Sequence, residues 1–157
     1  MKYHIVHLEK VPEVIPELIE YFTNEWDPYY GAKGPGDAAL DIKTCCQSDG
    51  LPIALVAVDH KRTALGTGAL KMHSLGSRTG EQPWICALLV PQPFRKKGIG
   101  EAIINALERE AERMGYTEIY STTNSANSIL LKRGWQALRQ VEPLHGQATV
   151  YRLEFQK

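Results

Sequence analysis

At 157 residues the chain has the length of one domain, enough to bury about two thirds of the surface that its unfolded form exposes. Eighteen Lys and Arg residues balance eighteen Asp and Glu, which excludes an overall field favouring nucleic acid or an anionic membrane; any charge-based function must be local. The three cysteines, Cys45, Cys46 and Cys86, are odd in number and lack the spacing of a metal knuckle, so no metal site is expected and a reducing cytoplasm is.

Residues 1–10 alternate apolar and polar side chains with no apolar run long enough for a signal peptide or membrane span, so the chain reads as soluble and unprocessed. Tyr3, Ile5 and Val6 begin a short strand. Behind Pro12, Val14, Ile15, Leu18, Ile19 and Phe22 recur at helical spacing and predict a helix over 12–26. Pro28, Gly31, Gly34, Pro35 and Gly36 make 27–37 an irregular loop, in which the aromatic pair Tyr29 and Tyr30 is unusual. A second, weakly amphipathic helix is expected over 37–46.

The apolar runs 53–58 and 63–72 flank a turn-like segment and read as paired strands. A third run, 84–90, ends at Pro91, which cannot donate to a sheet ladder, and completes a meander. The period then changes: Ile99, Ala102, Ile103, Ala106, Leu107, Ala111 and Met114 mark a helix stopped by Gly115. Segment 117–122 reads as a strand, 125–132 as a short helix, and 136–142 with 147–155 as a closing hairpin. Without a repeat or linker, 1–157 reads as a single domain.

Chemistry concentrates in Arg95, Lys96, Lys97, Gly98, Ile99 and Gly100, between a buried strand and the start of the best-patterned helix. Unpaired amides at a helix start point outward together, the macrodipole adds partial positive charge, and glycines admit a phosphate close to the main chain. An ordinary solvated basic loop ahead of a glycine-capped helix has the same local residues. A Walker loop is excluded because Gly100 is followed by Glu101 and Ala102, and a dinucleotide fingerprint because Ile103 stands where its third glycine belongs.

Val90-Pro91, then Phe94-Arg95, then Arg-x-x-Gly-x-Gly into an amphipathic helix resembles the acetyl-CoA signature of the GNAT superfamily of N-acetyltransferases. The element order is similar over about the whole chain, and Lys132, Arg133, Gly134 and Trp135 look like the superfamily's Lys-x-Gly-aromatic ending. The resemblance implies an α/β fold: a mixed, mostly antiparallel sheet of about seven strands flanked by about four helices. It implies that the strand 84–90 diverges from the next, that backbone groups of Leu88, Leu89 and Val90 bond the pantetheine arm like an added strand, and that the amides of 96–100 cradle the pyrophosphate. Leu88 N–H or a neighbour would polarise the thioester carbonyl. Asn127 matches a position from which family members reach the pantetheine; a helix-terminal asparagine facing water is the alternative.

Two positions depart from that pattern. Many members place a tyrosine, the acid for the leaving thiolate, where this chain has Leu130, and a glutamate where it has Cys86. Cys86 within an apolar strand reads as core ahead of nucleophile. His73 and His145 are the remaining candidates for relaying a proton, but neither sequence context singles out a catalytic base. The regions that border the acceptor in the superfamily contain Trp26, Tyr29, Tyr30, Trp84 and the hairpin loop with His145, whose aromatics would offer walls and cation–π faces or would pack the loop onto the core. The expectation is transfer of acetyl from acetyl-CoA, as co-substrate, to a primary amine of a small molecule or peptide by direct attack in a ternary complex. An inactive acyl-CoA-binding module is the rival.

Overall fold

The computed structural model describes residues 2–123, 126–141 and 147–156. The apolar run near residue 53 is the strand β2 (Ile53–Asp59), and its unbroken hydrophobicity follows from burial on both faces. Ile53, Leu55 and Ala57 point to one core, and Ala54, Val56 and Val58 to the other, the period of two that a strand imposes. On either side lie β1 (Tyr3–His7) and β3 (Ala64–Lys71), both antiparallel to it. β4 (Trp84–Leu89), β5 (Glu118–Thr123), β6 (Gln136–Val141) and β7 (Ala148–Glu154) complete a seven-stranded sheet of order β1-β2-β3-β4-β5-β7-β6. Every described pairing is antiparallel except β4 with β5. The closing hairpin forms as expected, with β7 inserted beside β5 and β6 left at the edge.

Two helices, α1 (Ile15–Glu25) and α2 (Ala38–Thr44), cover one face; α3 (Ile99–Arg113) and α4 (Asn127–Lys132) cover the other. The expected helix over 12–26 instead starts with a single 3-10 turn, Pro12–Val14, and becomes α-helical at Ile15. Pro16 explains the break: it has no N–H to offer the carbonyl four residues back, so it is tolerated only in a helix's first turn. Asp37 stands outside α2 as its cap, accepting from the Leu40 amide at 3.0 Å. On the opposite face α3 sits close on β3, where a Cβ at Gly68 would lie 2.9 Å from Leu107 Cδ1.

One polar cluster fixes α4 to α3. Arg133, just past α4, bonds both carboxylate oxygens of Glu108 at 2.6 and 3.0 Å and Asn105 Oδ1 at 2.9 Å, and Trp135 Nε1 donates to Glu108 at 2.9 Å. Among the described residues no helix is long and apolar enough to cross a membrane, and no group of His, Cys, Asp and Glu could hold a metal ion.

Candidate functional site

The site begins as a defect in the sheet. Thr67 pairs with Leu89 and Ala69 with Cys86, so Ala87 and Leu88 of β4 oppose the single residue Gly68 of β3. Ala87 takes φ +52°, uncommon for a residue with a side chain. This bulge bends β4 away, and its pairing with β5 covers only Trp84 with Tyr120 and Ile85 with Ser121. Beyond that point the strands part, as the resemblance led us to expect.

Two cavities meet at the gap, and Leu88 lines both. The first, a cleft of about 420 Å³, runs between Leu88, Leu89 and Val90 on one side and Gly98, Ile99, Gly100 and Glu101 at the start of α3 on the other, with Ile129 of α4 as a further wall. Gly98 is left-handed, at φ +82°, and supplies no side-chain cap, so the opening amides of α3 lack an intrahelical acceptor. Lys96 is also left-handed, at φ +63°, and curls the chain into the helix. A Cβ at Gly98 would enter open space, and one at Gly100 would come no nearer than 3.7 Å to Val90 Cγ2. The cleft therefore ends at exposed, positively polarised backbone.

The basic residues of the loop divide in what they do. Arg95 ties the loop down: Nε donates to the Val90 carbonyl at 2.6 Å, Nη1 to Gln92 at 2.8 Å, and Nη2 to Glu25 at 2.8 Å. Lys96 lines the cleft, while Lys97 is exposed beside it. Asn127, in the first turn of α4, accepts from the buried Tyr151 hydroxyl at 2.8 Å. Its neighbours Ile129 and Leu130 form cavity walls.

The second cavity, a chamber of about 310 Å³, passes through the gap in the sheet. Ile104 of α3 and Leu130 of α4 wall it from one side, and Trp26, Ser74, Leu75 and Cys86 from the other. Ser121, Thr122 and Thr123 line it from β5, with the Thr122 hydroxyl donating to the Leu75 carbonyl at 2.6 Å. Leu130, where the family resemblance led to a tyrosine, is 2 % exposed and offers only methyl groups. Cys86 lies on the chamber wall; its Sγ is 3.9 Å from the His73 carbonyl, and burial pushes its thiol pKa up, away from the thiolate. The His73 side chain is exposed.

The aromatic residues singled out for the acceptor side separate. Trp26 lines the chamber. Tyr30 packs on Phe22 and Trp26, and its hydroxyl donates to Asp41 at 2.6 Å; burial, then that carboxylate, push its pKa up. Tyr29 packs edge-on against Tyr30 and remains half exposed. Trp84 is fully buried, stacked on Tyr120 with Nε1 donating to the Glu81 carbonyl at 2.7 Å, so it supports the chamber from below and touches nothing in it. His145 lies outside the described residues. Ile104, Ser74, Leu75 and Ser121 were not singled out from sequence. For Ile104 the signal was available, one helical turn after Gly100; for the others it was not, because two strands parting exposes ordinary strand and loop residues.

The model of the acetyltransferase (GNAT) family matches residues 13–132. No curated protein sequence matches the chain. Among solved structures it is similar to an aminoglycoside 6'-N-acetyltransferase complexed with coenzyme A, with 16 % identity over 96 % of both chains and a TM-score of 0.78. It is similar to a GCN5-related N-acetyltransferase from Kribbella flavida, with 17 % identity over 98 % of both chains and a TM-score of 0.74. A third likeness is to the NatC complex bound to Gag peptide and coenzyme A, with 18 % identity over 99 % of this chain and 100 % of that one and a TM-score of 0.76. At these identities the likeness is one of fold.

Proposed function

This chain belongs to the acetyltransferase (GNAT) family, and we propose that it moves the acetyl group of acetyl-CoA to a primary amine by direct attack while both substrates are bound. The observation that carries this reading is that Leu88 lines both the cleft and the chamber. A ligand lying in one can present its reactive end to a ligand in the other. The residues fit acetyl-CoA: open backbone at Gly98 and Gly100 suits a pyrophosphate, and the unpaired stretch of β4 leaves main-chain groups for an extended pantetheine.

In this reading Leu88, Leu89 and Val90 hold the arm, and Lys96, Gly98, Ile99 and Gly100 hold the phosphates. Lys97 adds a second cation nearby. Arg95 ties the loop down through Val90, Gln92 and Glu25 and also lines the cleft, so the two N–H groups left on its guanidinium can meet a phosphate. Asn127 is oriented by Tyr151 at the edge of the arm. The Leu88 amide is the candidate oxyanion donor. The amine nitrogen attacks the thioester carbon, the C–S bond breaks, and the sulfur leaves as thiolate. With a thiol pKa of about 8.5 that departure needs little assistance near neutrality. A protonated Cys86 thiol disfavours a covalent acyl-cysteine. Three free cysteines suit a reducing cytosol.

Leu130 and the uncharged chamber favour one rival, an acyl-CoA-binding module without turnover. Release of free thiol from acetyl-CoA with any amine decides between the two. For the site itself, Gly98→Val and Gly100→Val should each weaken acetyl-CoA binding at least tenfold by calorimetry while circular dichroism shows a folded protein. Parental affinity in both folded variants would remove the phosphate site from the start of α3.

A further inference from the structure

The proposed transfer leaves open how the acceptor loses its proton and which amines the chamber admits. We infer that the chamber selects a weakly basic amine, of the α-amino kind, on an uncharged and largely apolar carrier, and that it excludes strongly basic and polycationic amines. The inference rests on the acetyl-transfer reading and concerns the acceptor half of the same site.

Its basis is the chemistry of the wall, element by element. Trp26 comes from the end of α1, Leu75 from the segment before β4, Ile104 from α3, Ser121 from β5, Leu130 from α4 and Ala148 from β7. All are uncharged, and so is every other described residue that lines the chamber. Cys86 is the one titratable group among them, and burial keeps its thiol protonated. Lys71 places a positive charge near Cys86, and the ion pair of Arg139 with Glu81 is internally neutralised, with the guanidinium also bonded to the Gly76 carbonyl. An ammonium entering such a chamber gives up its hydration without gaining a carboxylate. The same desolvation favours the neutral amine, which is the form that attacks.

An acceptor that is already neutral in solution therefore has an advantage that no described wall residue can restore to the others. At pH 7.5 roughly one third of an α-amine of pKa near 7.8 is neutral, against about one lysine ε-amine in 800. In the transfer, the incoming R–NH2 forms the C–N bond and the C–S bond breaks. One proton of the nitrogen passes through water to the departing sulfur, giving R–NH–acetyl and the free thiol of CoA. The balance needs no protein base. The hydroxyls of Ser74 and Ser121, and the lone pairs of the Thr122 hydroxyl that donates to Leu75, can accept from the N–H groups of a neutral amine or hold that water.

The test measures thiol release from acetyl-CoA by the full chain with four acceptors: valinamide, a tripeptide amide beginning with valine, Nα-acetyl-lysine amide, and a polycationic aminosugar. At pH 7.5 kcat/KM for either α-amine should exceed that for the lysine derivative by 100-fold or more. The gap should narrow as pH rises towards 10, with each profile breaking at the pKa of its own amine. A faster tripeptide marks a peptide as the source of the α-amine, and equal or faster valinamide marks a small amine; both support the inference. Equal or better turnover of the lysine derivative or the aminosugar at pH 7.5 would overturn it, as would one break shared by all acceptors, which would reveal a protein base. Cys86→Glu, placing a carboxylate on the wall, should shrink the gap at least tenfold in a folded protein; an unchanged gap counts against the inference. Thiol release with no acceptor at any pH would instead remove the acetyl-transfer reading, even if calorimetry shows that acetyl-CoA binds.

Discussion

At the scale of single residues, Leu130 has the greatest mechanistic weight because it forms a wall of the chamber and can move no proton. If thiolate departure is unassisted, Leu130→Tyr should raise kcat with little change in acetyl-CoA affinity, since a proton delivered to the leaving group acts in the transition state. A positioned acid is worth about 10²- to 10⁴-fold, so a tenfold gain over Leu130→Phe is a fair expectation. The phenylalanine variant has nearly the same bulk and controls for overpacking a site that fits leucine. Equal rates in the two folded variants would show that the step is already assisted or does not limit turnover. The left-handed turn at Gly98 and the open backbone there and at Gly100 were legible in the sequence because glycine alone leaves the main chain so uncovered at a helix start. Trp84 was not: an aromatic in a strand next to a loop has the same sequence context whether it lines a pocket or, as here, stacks beneath one.

At the scale of elements, the short helix α4 has the least of its own to stabilise it, six residues being too few to persist alone. Its position comes from Leu130 in the core and from Arg133 and Trp135 converging on Glu108. Glu108→Ala would take the acceptor of the Trp135 indole N–H and leave Arg133, 19 % exposed, with only Asn105 and Glu101 as partners. Loss of roughly 2–4 kcal/mol of stability is expected by denaturant titration, with weaker acetyl-CoA binding because α4 walls both cavities. Loss of stability without change in affinity in the folded fraction would separate the cluster from the site. The sequence reading placed a short helix over 125–132, where α4 forms, but nothing in it linked Arg133 to Glu108, 25 residues earlier. Pro16 was a breaker available to inspection, and it shortens α1 by the rule that a proline interior to a helix loses a hydrogen bond.

For the whole molecule, strand number, helix order and the meander β2-β3-β4 were legible from alternation and turn residues, whereas the parting of β4 from β5 came only through family resemblance. The bulge at Ala87 and Leu88 that produces it has no glycine or proline to announce it. The titratable groups that tie these elements together set limits on the pH range of stability. On the acid side, the Arg139 guanidinium and the Arg78 amide hold the Glu81 carboxyl below its ordinary 4.5, and Arg113, then His7, do the same for Glu110. A carboxyl whose folded pKa is depressed binds fewer protons than in the unfolded chain, so its stabilisation is complete above about 4.5 and is lost as pH falls through the folded value. On the alkaline side, burial and then Glu17 push Tyr21 up to about 12, and burial and then Glu118 push Tyr120 up to about 12, from 10.0. A phenol whose folded pKa is raised holds its proton longer when folded, so its contribution is complete below about 10 and fades as pH rises towards 12. Burial likewise raises the Cys45 and Cys86 thiols above their ordinary 9.0, so their contribution starts to fade as the unfolded thiols ionise. Thermal unfolding should therefore give a midpoint that is nearly level from about pH 5 to about pH 8 and falls on both sides. Glu81→Gln should flatten the acid limb, because the group that must be protonated there is gone, and lower the plateau, because Arg139 loses its ion pair. Tyr21→Phe should flatten part of the alkaline limb and also lower the plateau, because it removes the hydroxyl that donates to the Ala64 carbonyl at 3.0 Å between α1 and β3. A midpoint that drifts steadily across the neutral range in the parent protein would mean that other groups, with folded values near 7, control its stability.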